Sequence, residues 1–303
     1  MGGVSARPTH RSAAAQAAIV TVLWSTSFLL VKGMLPAVPP VTLAGVRYLV
    51  AFLFLIAFAL AVDRRRPGRL PWALLATIGI LQYGVGQALV YSAMRLLPVA
   101  TIALLFSLLP PLQALADTVW LREPPLRAQV LGAAVTLAGI GLYLPWRGSW
   151  AWAGLALMGG VLLTATIATT LSRQVAREGS TSTLHLTLIS MAAGAFFILP
   201  VGLAAEPAPR FPLPVVGALF WLSLANTAAA FSLWNNALRT LTAFEANIIG
   251  NTTLFQVGIL GWLFLGEPLT PRQILGIAVA FGGVLLAGLP ARGARRVALD
   301  AIR

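Results

Sequence analysis

Residues 121–142 read LREPPLRAQVLGAAVTLAGIGL, and residues 265–286, 144 positions later, read LGEPLTPRQILGIAVAFGGVLL. At this single offset, 10 of the 22 positions carry the same residue type. Chance alone would give about two or three matches in a chain so rich in alanine, leucine and glycine. The recurring Glu-Pro and Gln are the informative matches, because apolar composition does not explain them. We therefore interpret the chain as two homologous halves.

Composition places the chain in the membrane. Of its 303 residues, 58% are hydrophobic and 10% are charged, whereas a soluble domain carries about 25% charged residues. Long runs without charge are near or above the roughly 18–20 residues that cross a bilayer as a helix, and they do not alternate as barrel strands do. The runs are 12–31, 33–62 (interrupted only by Arg47), 70–94, 96–116, 128–146, 148–172, 179–205, 211–238, 246–266 and 273–291.

These runs predict an all-α integral membrane protein with ten transmembrane helices, five in each half. Because five is odd, the second half must enter the membrane upside down, which gives two inverted five-helix repeats. Inverted repeats are typical of secondary transporters that work by alternating access. The predicted regions are a cytoplasmic N-terminal tail, two repeats and a basic cytoplasmic tail: 1–13, 14–146, 151–289 and 290–303. The predicted helices are 14–34, 41–62, 72–93, 99–120, one ending near Trp146, 151–171, 183–203, 213–236, 243–265 and 273–289.

The net charge of +13 does not indicate nucleic-acid binding, because the basic residues segregate by side of the membrane. With the N-terminus in the cytoplasm, the inside segments hold 15 Lys and Arg residues and the outside segments hold 5. This bias follows the positive-inside rule. It predicts a multi-pass protein of the cytoplasmic (inner) membrane with both termini inside, and it leaves no basic face for a duplex.

Several segments resemble the EamA family of the drug/metabolite transporter superfamily. LWSTSFLLVKG (23–33) and PPVTLAGVRYLVAFLFL (39–55) resemble its first helix pair. YSAMRLLPVATIALLFSLLPPLQAL, followed by LREPP, resembles the junction of its helices 3, 4 and 5, and NNALRTLTAFEANIIGNTTLFQVGILGWLFLGEP resembles the same junction in the second repeat. The resemblance implies ten helices, two inverted repeats, and transport of small metabolites or amino acids, commonly outward. The repeat departs from symmetry at Trp24, whose partner at the 144-residue offset is Ala168.

Polar and aromatic side chains at helical spacing predict a neutral, aromatic-lined substrate pocket built from helices 1, 3, 8 and 9. Side chains three or four positions apart share a helix face, and groups that could hydrogen-bond should not face lipid. The alternative is that these groups join helices, where a polar contact contributes about 0.6 kcal/mol on average. The predicted substrate-binding residues are Trp24, Ser27, Tyr83, Gln87, Tyr91, Asn226, Trp234, Asn247 and Asn251.

Three ionisable residues are candidates for gating or coupling: Lys32, Arg47 and Glu245. Lys32 and Arg47 could form an electropositive rim, or Lys32 could snorkel to the headgroups and Arg47 could cap carbonyls of a neighbouring helix. Glu245 could carry a coupling proton, since burial shifts a carboxyl toward neutral titration. Equally, it could be an acid that complements the dipole of its helix.

Two further patterns concern packing. Pro110 and Pro111 predict a kink in helix 4. Four glycines, Gly132, Gly139, Gly276 and Gly283, predict close helix packing.

The sequence therefore predicts a secondary active transporter that exports a small metabolite, with amino acids or related compounds favoured. The chain has no cysteine and two histidines, without metal-ligand spacing, so we expect no metal and no cofactor. Expected partners are a small-molecule substrate, the lipid bilayer and protons as a candidate coupling ion, with the chain a monomer or homodimer. The alternatives are a membrane-embedded enzyme of lipid or sugar metabolism, a channel, or a non-transporting membrane scaffold.

Overall fold

A computed structural model describes residues 8–62, 70–120, 125–144, 151–178, 181–241 and 243–289. Every regular element in these ranges is helical, so the predicted all-α class is confirmed. Two elements are π-helical turns, named π1 and π2 here. In chain order the elements are α1 (His10–Met34), α2 (Pro40–Val62), α3 (Trp72–Gly79), π1 (Ile80–Val85), α4 (Gly86–Leu96), α5 (Val99–Phe106), α6 (Leu109–Trp120), α7 (Arg127–Tyr143), α8 (Trp152–Glu178), α9 (Thr183–Ala205), α10 (Leu213–Ser223), π2 (Leu224–Ala229), α11 (Ala230–Ala237), α12 (Ala243–Asn251), α13 (Thr253–Leu265) and α14 (Pro271–Ala287).

The lengths of these helices suit a membrane. Within the described ranges, seven helical stretches are long and apolar enough to cross a bilayer, and two shorter apolar stretches are Leu213–Thr227 and Pro271–Ala287. Many large apolar side chains lie on the outside, including Leu213 at 84% and Phe264 at 71% exposed. Such surfaces are unfavourable in water and suit contact with lipid. The seven stretches are His10–Met34, Pro40–Ala57, Trp72–Leu96, Val99–Trp120, Trp152–Val175, Leu184–Ala205 and Ile248–Leu265.

The first helix begins four residues earlier than the sequence predicts, at His10 instead of 14. The cause is local, because the Thr9 hydroxyl accepts a hydrogen bond from the Ser12 amide at 3.3 Å. A threonine in this position caps one of the free N–H groups of a helix start. The predicted C-terminal tail, 290–303, lies outside the described residues.

The 144-residue repeat extends to the irregularities of the backbone. The π1 turn at Ile80–Val85 recurs 144 positions later as the π2 turn at Leu224–Ala229, and α7 recurs at the same offset as α14. The interruption between α5 and α6, at residues 107 and 108, corresponds to the end of α12 and Thr252. Similar helix lengths in the two halves could arise from apolar composition alone. A π turn and a helix break at matching positions are not explained by composition and therefore support a duplication.

The break in the predicted helix 4 lies just before its two prolines. Pro110 and Pro111 occupy the first turn of α6, where a proline is tolerated because its missing N–H would have no intrahelical partner. The equivalent break at Thr252 has no proline beside it. The prediction that the prolines cause a kink is therefore incomplete, since the second half interrupts its helix without them.

The four glycines bring α7 and α14 into backbone contact, as predicted. A Cβ added at Gly132 would lie 2.5 Å from the Gly283 carbonyl oxygen, and one added at Gly276 would lie 2.8 Å from the Gly139 carbonyl oxygen. Contacts that pair early residues of one helix with late residues of the other show that the helices run antiparallel. The contact is also reciprocal, because Gly132 and Gly139 each meet the repeat counterpart of the other. Thr136 faces its own counterpart, with its hydroxyl 3.5 Å from the Ala280 carbonyl oxygen.

The recurring glutamine of the repeat caps the same pair of helices. The Gln129 side-chain oxygen accepts from the Leu126 amide at 2.8 Å, and that of Gln273 accepts from the Thr270 amide at 2.9 Å. In α14 the Thr270 hydroxyl also accepts from the Gln273 amide, which completes a capping box. The match at Gln129 and Gln273 is therefore explained by helix initiation.

The chain divides into two compact units that do not coincide with the two sequence halves. Unit I takes its residues from 1–25, 103–148 and 232–303, and unit II from 26–102 and 149–231. Each unit contains helices from both halves of the repeat. In unit II, Gly45 lies against Leu199 and Gly202 against Thr42, so α2 and α9 also pack as an antiparallel pair.

Candidate functional site

Unit II contains a buried arginine on α2. Arg47 is 8% exposed, and its Nη1 donates a hydrogen bond to the Tyr91 hydroxyl on α4. The guanidinium also lies 5.4 Å from the centre of the Tyr48 ring, within the range of a cation–π interaction. No described carboxylate lies within ion-pair distance of Arg47. The structure does not show Arg47 capping the carbonyls of a neighbouring helix, because the described acceptor of its side chain is the Tyr91 hydroxyl.

A second aromatic contact extends this cluster toward π1. The rings of Tyr48 and Tyr83 lie 5.2 Å apart between centres and are tilted by 51°. Tyr48 packs with Ala51, Met191 and Ala195 in a small apolar cluster of α2 and α9. Tyr83 and Tyr91, two of the predicted substrate-binding residues, thus both contact α2. Gln87, between them, is partly buried, and no described group lies within hydrogen-bond distance of its amide.

An amide in π2 joins the same unit. Asn226 is 2% exposed and donates from its side-chain nitrogen to the Ser27 hydroxyl on α1. One turn earlier, the Ser223 hydroxyl donates to the Arg47 carbonyl oxygen at 3.3 Å. The π2 turn and the end of α10 that precedes it therefore place polar groups beside α1 and α2, respectively. π-helical turns inside α-helices are frequent at functional sites.

Unit I has its own aromatic pair. The indole rings of Trp24 and Trp234 lie 5.1 Å apart between centres. Trp234 packs on an apolar cluster formed by Ala13, Ala17 and Ala237 with Leu241. Both tryptophans are predicted substrate-binding residues, and the structure brings them together. Trp24 and Ser27, predicted to share a helix face, belong to different units.

A glutamine on α13 is the centre of a polar network in unit I. The Gln256 side chain accepts from the Ser25 hydroxyl at 2.7 Å and donates to the hydroxyls of Thr21 and Thr252 at 3.1 and 3.2 Å. Thr21 and Ser25 are completely buried. The network ties α1 to the helix break at Thr252. Gln256 is not among the predicted substrate-binding residues, although it lies on the same predicted helix as Asn247 and Asn251. The hydroxyls of Thr21 and Ser25, four positions apart, also indicate a polar face of α1.

The two remaining ionisable candidates, Lys32 and Glu245, each contact a group in another segment of the chain. Lys32 donates to the Leu97 carbonyl oxygen at 3.0 Å, at the end of α4, which suits a cation at a helix C-terminus. Glu245, on the first turn of α12, lies 2.8 Å from the His10 ring nitrogen. Two further contacts, Asn236 to Gln16 at 3.0 Å and Thr240 to the Pro8 carbonyl at 3.0 Å, join the same segments. The start of α1 is thus held at three points in unit I.

The predicted pocket residues are divided between the units. Trp24, Trp234 and Asn251 belong to unit I, whereas Ser27, Tyr83, Gln87, Tyr91 and Asn226 belong to unit II. Asn251 ends α12 and is partly buried. Asn247 lies on α12, but its side chain is outside the described part of the structure.

Three residues with a clear role in these clusters were not singled out from the sequence. Tyr48 and Ser223 contact Arg47, and Glu206 accepts hydrogen bonds from the amides of Val41 and Thr42 at 3.0 and 2.7 Å. Glu206 thereby caps α2 from the end of α9. The neighbouring Arg47-Tyr48 pair was the signal available for Tyr48, whereas the contacts of Ser223 and Glu206 span more than 160 positions. Among the described residues, no group of three or more His, Asp or Glu side chains could hold a metal ion.

Comparisons with known proteins agree with this architecture. The model of the EamA-like transporter family matches residues 11–144 and again residues 151–289. A solved crystal structure superimposes with a TM-score of 0.66 at 23% identity, covering 94% of this chain and all of that chain. At that identity the match shows a shared fold.

Curated relatives span most of the chain. Protein PecM of Dickeya dadantii is 26% identical, over 87% of this chain and 88% of its own length. A probable terminal-alkyne amino-acid exporter of Streptantibioticus cattleyicolor is 25% identical, over 95% and 97%. An S-adenosylmethionine/S-adenosylhomocysteine transporter of Chlamydia trachomatis serovar L2 is 27% identical, over 84% and 82%.

The doubled family match and the apolar helices identify a multi-pass membrane protein that carries a small molecule across the bilayer. The chain belongs to the EamA-like transporter family, a group of drug/metabolite-type transporters.

Proposed function

We propose that this protein is a secondary active transporter that exports small metabolites, amino acids or related compounds, by alternating access. The observation that carries the proposal is the 144-residue repeat of helices, π turns and helix breaks. Two similar halves that exchange conformations open a central site to each side of a membrane in turn.

The reciprocal contact between α7 and α14 supports an inverted arrangement of the halves. Equivalent helices that run antiparallel and meet through exchanged glycines fit a two-fold axis across the helices. Such an axis, lying in the membrane plane, relates inverted repeats. We accordingly propose ten spans, with α7, α10 to π2 and α14 completing the seven longer stretches.

The chemistry of the two clusters supports a small amphipathic or zwitterionic substrate. Their side chains are mostly neutral amides, hydroxyls and aromatic rings, with one buried arginine. Relatives named as an amino-acid exporter and as an S-adenosylmethionine/S-adenosylhomocysteine transporter handle compounds of this kind. We propose that the predicted pocket residues contribute to substrate binding from within each unit.

Lys32, Arg47 and Glu245 remain our candidates for gating or coupling, with protons as the candidate ion. The contacts of Glu245 with His10 and of Lys32 with the Leu97 carbonyl would break when their helices separate. The oligomeric state, monomer or homodimer, stays a prediction.

The test of function is transport by the purified chain in proteoliposomes. A panel of radiolabelled amino acids and small metabolites is assayed with and without a pH gradient. A secondary carrier gives saturable uptake and counterflow for at least one compound, and proton coupling makes that uptake depend on the gradient. A channel gives flux without saturation or counterflow, and a scaffold or enzyme gives no flux.

The test of orientation uses single cysteines, because the natural chain has none. We propose an inner-membrane location with both termini in the cytoplasm. A cysteine beside Arg122 should then react with an impermeant maleimide only from the inside, and one beside Arg272 only from the outside. Labelling of both from the same side would contradict the inverted repeat without affecting the transport assay.

A further inference from the structure

Arg47 is more deeply buried than its described partners justify. A guanidinium stays charged in any protein environment, and a charge near the centre of a membrane helix is costly. Buried charges are ordinarily paired with an opposite charge. Arg47, at 8% exposure, has a phenol hydroxyl and an aromatic ring as its described neighbours, and no described carboxylate.

Only some of the N–H groups of the Arg47 guanidinium have a described acceptor. Of the five N–H groups of a guanidinium, the described contact with Tyr91 occupies only Nη1. The buried Nε has no acceptor among the described residues, and no described group accepts from Nη2. Nε and Nη2 form one planar edge with two parallel N–H bonds, the geometry that binds a carboxylate in a bidentate manner.

The surroundings hold this edge in place without neutralising it. Tyr91 anchors Nη1, the Tyr48 ring lies against the guanidinium, and Tyr83 packs on Tyr48 in turn. The Ser223 hydroxyl donates to the Arg47 carbonyl and fixes the backbone of the same turn. The described side chains around Arg47 are therefore neutral, and the cluster carries one uncompensated positive charge.

From this arrangement we infer that the Nε–Nη2 edge of Arg47 binds a carboxylate group of the transported molecule. The inference rests on the proposed transport function and narrows its substrate to compounds that bear a carboxylate. A carboxylate supplies the two acceptors and the negative charge that this edge lacks among the described residues. A role limited to joining helices would be served as well by an apolar residue of similar volume.

The experiment compares transport of matched compounds by the full chain in proteoliposomes. Each amino acid of the panel is tested beside its carboxamide and its decarboxylated amine, and inorganic phosphate is tested as a competing anion. The wild-type chain should transport at least one acid and favour it over its carboxamide by roughly 30-fold or more, the effect of removing one partner from a buried charge pair. Phosphate should not compete with that acid.

Three variants assign the preference to this residue. Arg47→Gln should abolish the preference for the acid, and Arg47→Lys should retain part of it, because an ammonium supplies the charge without the planar edge. Arg95→Gln is the matched control, since Arg95 donates to the Leu35 carbonyl in the same unit and should leave the preference unchanged. Tyr91→Phe, which removes the anchor of Nη1, should raise KM for the acid with little change in kcat, and it provides a readout if Arg47→Gln does not fold.

The outcomes separate the two proposals. If the wild-type chain transports none of the compounds, the proposed function is wrong. If it transports compounds but accepts acids and carboxamides equally, transports no carboxylate, or exchanges phosphate in preference, the carboxylate assignment is wrong and the transport function stands. If Arg47→Gln keeps the full preference for the acid, or if Tyr91→Phe leaves the KM for the acid unchanged, Arg47 serves the fold and does not bind substrate.

Discussion

The turns π1 and π2 have the same backbone and different chemistry. They lie 144 positions apart, have the same length and both belong to unit II. The third and fourth positions of π1 are Gln82 and Tyr83, and the Tyr83 ring packs on Tyr48. The equivalent positions of π2 are Asn226, which donates to Ser27, and Thr227, whose hydroxyl donates to the Leu222 carbonyl at 3.2 Å.

The difference indicates which features the duplication retained. Backbone devices recur in both halves, including the π turns, the helix breaks, the glutamine caps and the glycine contacts. The polar and aromatic residues of the candidate site do not recur as the same residue type. Arg47 corresponds to Met191, Gln256 to Leu112 and Trp24 to Ala168. We interpret the shared backbone as the basis of conformational change and the unshared side chains as the basis of substrate recognition.

The largest effect is expected where the halves are most alike. Gly139→Val and Gly283→Val, at repeat-equivalent positions, each place side-chain atoms in the backbone of the partner helix. We expect each to lower the free energy of unfolding by about 3 kcal/mol, the upper range for overpacking. Thermal unfolding in detergent measures the change.

The control for this contact is the neighbouring residue. Gly282 has no atom within 4 Å of an added Cβ, so Gly282→Val should change stability by only about 0.5 kcal/mol. An equal loss at Gly282 and Gly283 would show that the helix pair is not the cause. If Gly139→Val and Gly283→Val lowered the free energy of unfolding by very different amounts, the two halves would not contribute equally to this contact.

A smaller effect is expected where the two π turns differ. Asn226→Leu removes the donor to Ser27 and should lower transport efficiency by about tenfold, the cost of one lost buried hydrogen bond with its unpaired partner. Gln82→Leu, at the equivalent position in π1, removes no described hydrogen bond and should stay within about twofold. Equal losses in the two variants would mean that the π turns are chemically equivalent.

Substitutions of predicted substrate-binding residues should have a smaller effect on transport than Asn226→Leu. Tyr83→Phe, Gln87→Ala and Asn251→Ala should each lower kcat/KM by roughly fivefold, the value of one neutral hydrogen bond, without loss of membrane insertion. Ser107→Ala is the control, because Ser107 is the counterpart of Asn251 and its hydroxyl donates locally to the Leu104 carbonyl. Unchanged transport in all three variants would remove these residues from the site.

The smallest effect is expected at the contact between His10 and Glu245. The first half has Thr101 at the position of Glu245, so the pair is unique to one side of the comparison. The His10 side chain is 62% exposed, and exposed ion pairs contribute about 0–1 kcal/mol. His10→Ala should therefore change the free energy of unfolding by less than about 1 kcal/mol in a salt-series unfolding measurement. A loss several times larger would mean that the pair is buried in the working protein.

Much of the fold follows from local sequence. The charge-free runs predicted helices whose bounds mostly agree with the structure within about four residues, because hydrophobic length decides which segments cross a membrane. The exception is α8, predicted to end at 171, which continues to Glu178 beyond the charge-free run. The glycines of 132, 139, 276 and 283 were correctly interpreted as close-packing positions. The π turns were not predicted, since a π turn depends on contacts of neighbouring helices and has no strong residue signature.

The site was only partly predictable for the same reason. The helical spacing of Tyr83, Gln87 and Tyr91 indicated that this polar face should avoid lipid. Tyr83 and Tyr91 do pack inside unit II. It did not indicate that Tyr91 would meet Arg47, 44 positions away, or that Trp24 would meet Trp234. The residues that pair depend on how helices are placed, and helix spacing within one segment carries no information about its neighbour.

Amino-acid order alone established the membrane class and the duplication, because the first depends on the length of apolar runs and the second on a repeated residue pattern. The division into unit I and unit II came from the folded arrangement. Three of its four boundaries fall inside α1, α5 and α11, between residues 25 and 26, 102 and 103, and 231 and 232, where no linker composition marks them. A continuous helix satisfies its own backbone hydrogen bonds on both sides of such a boundary, so only side-chain packing against other helices determines where one compact unit ends and the next begins.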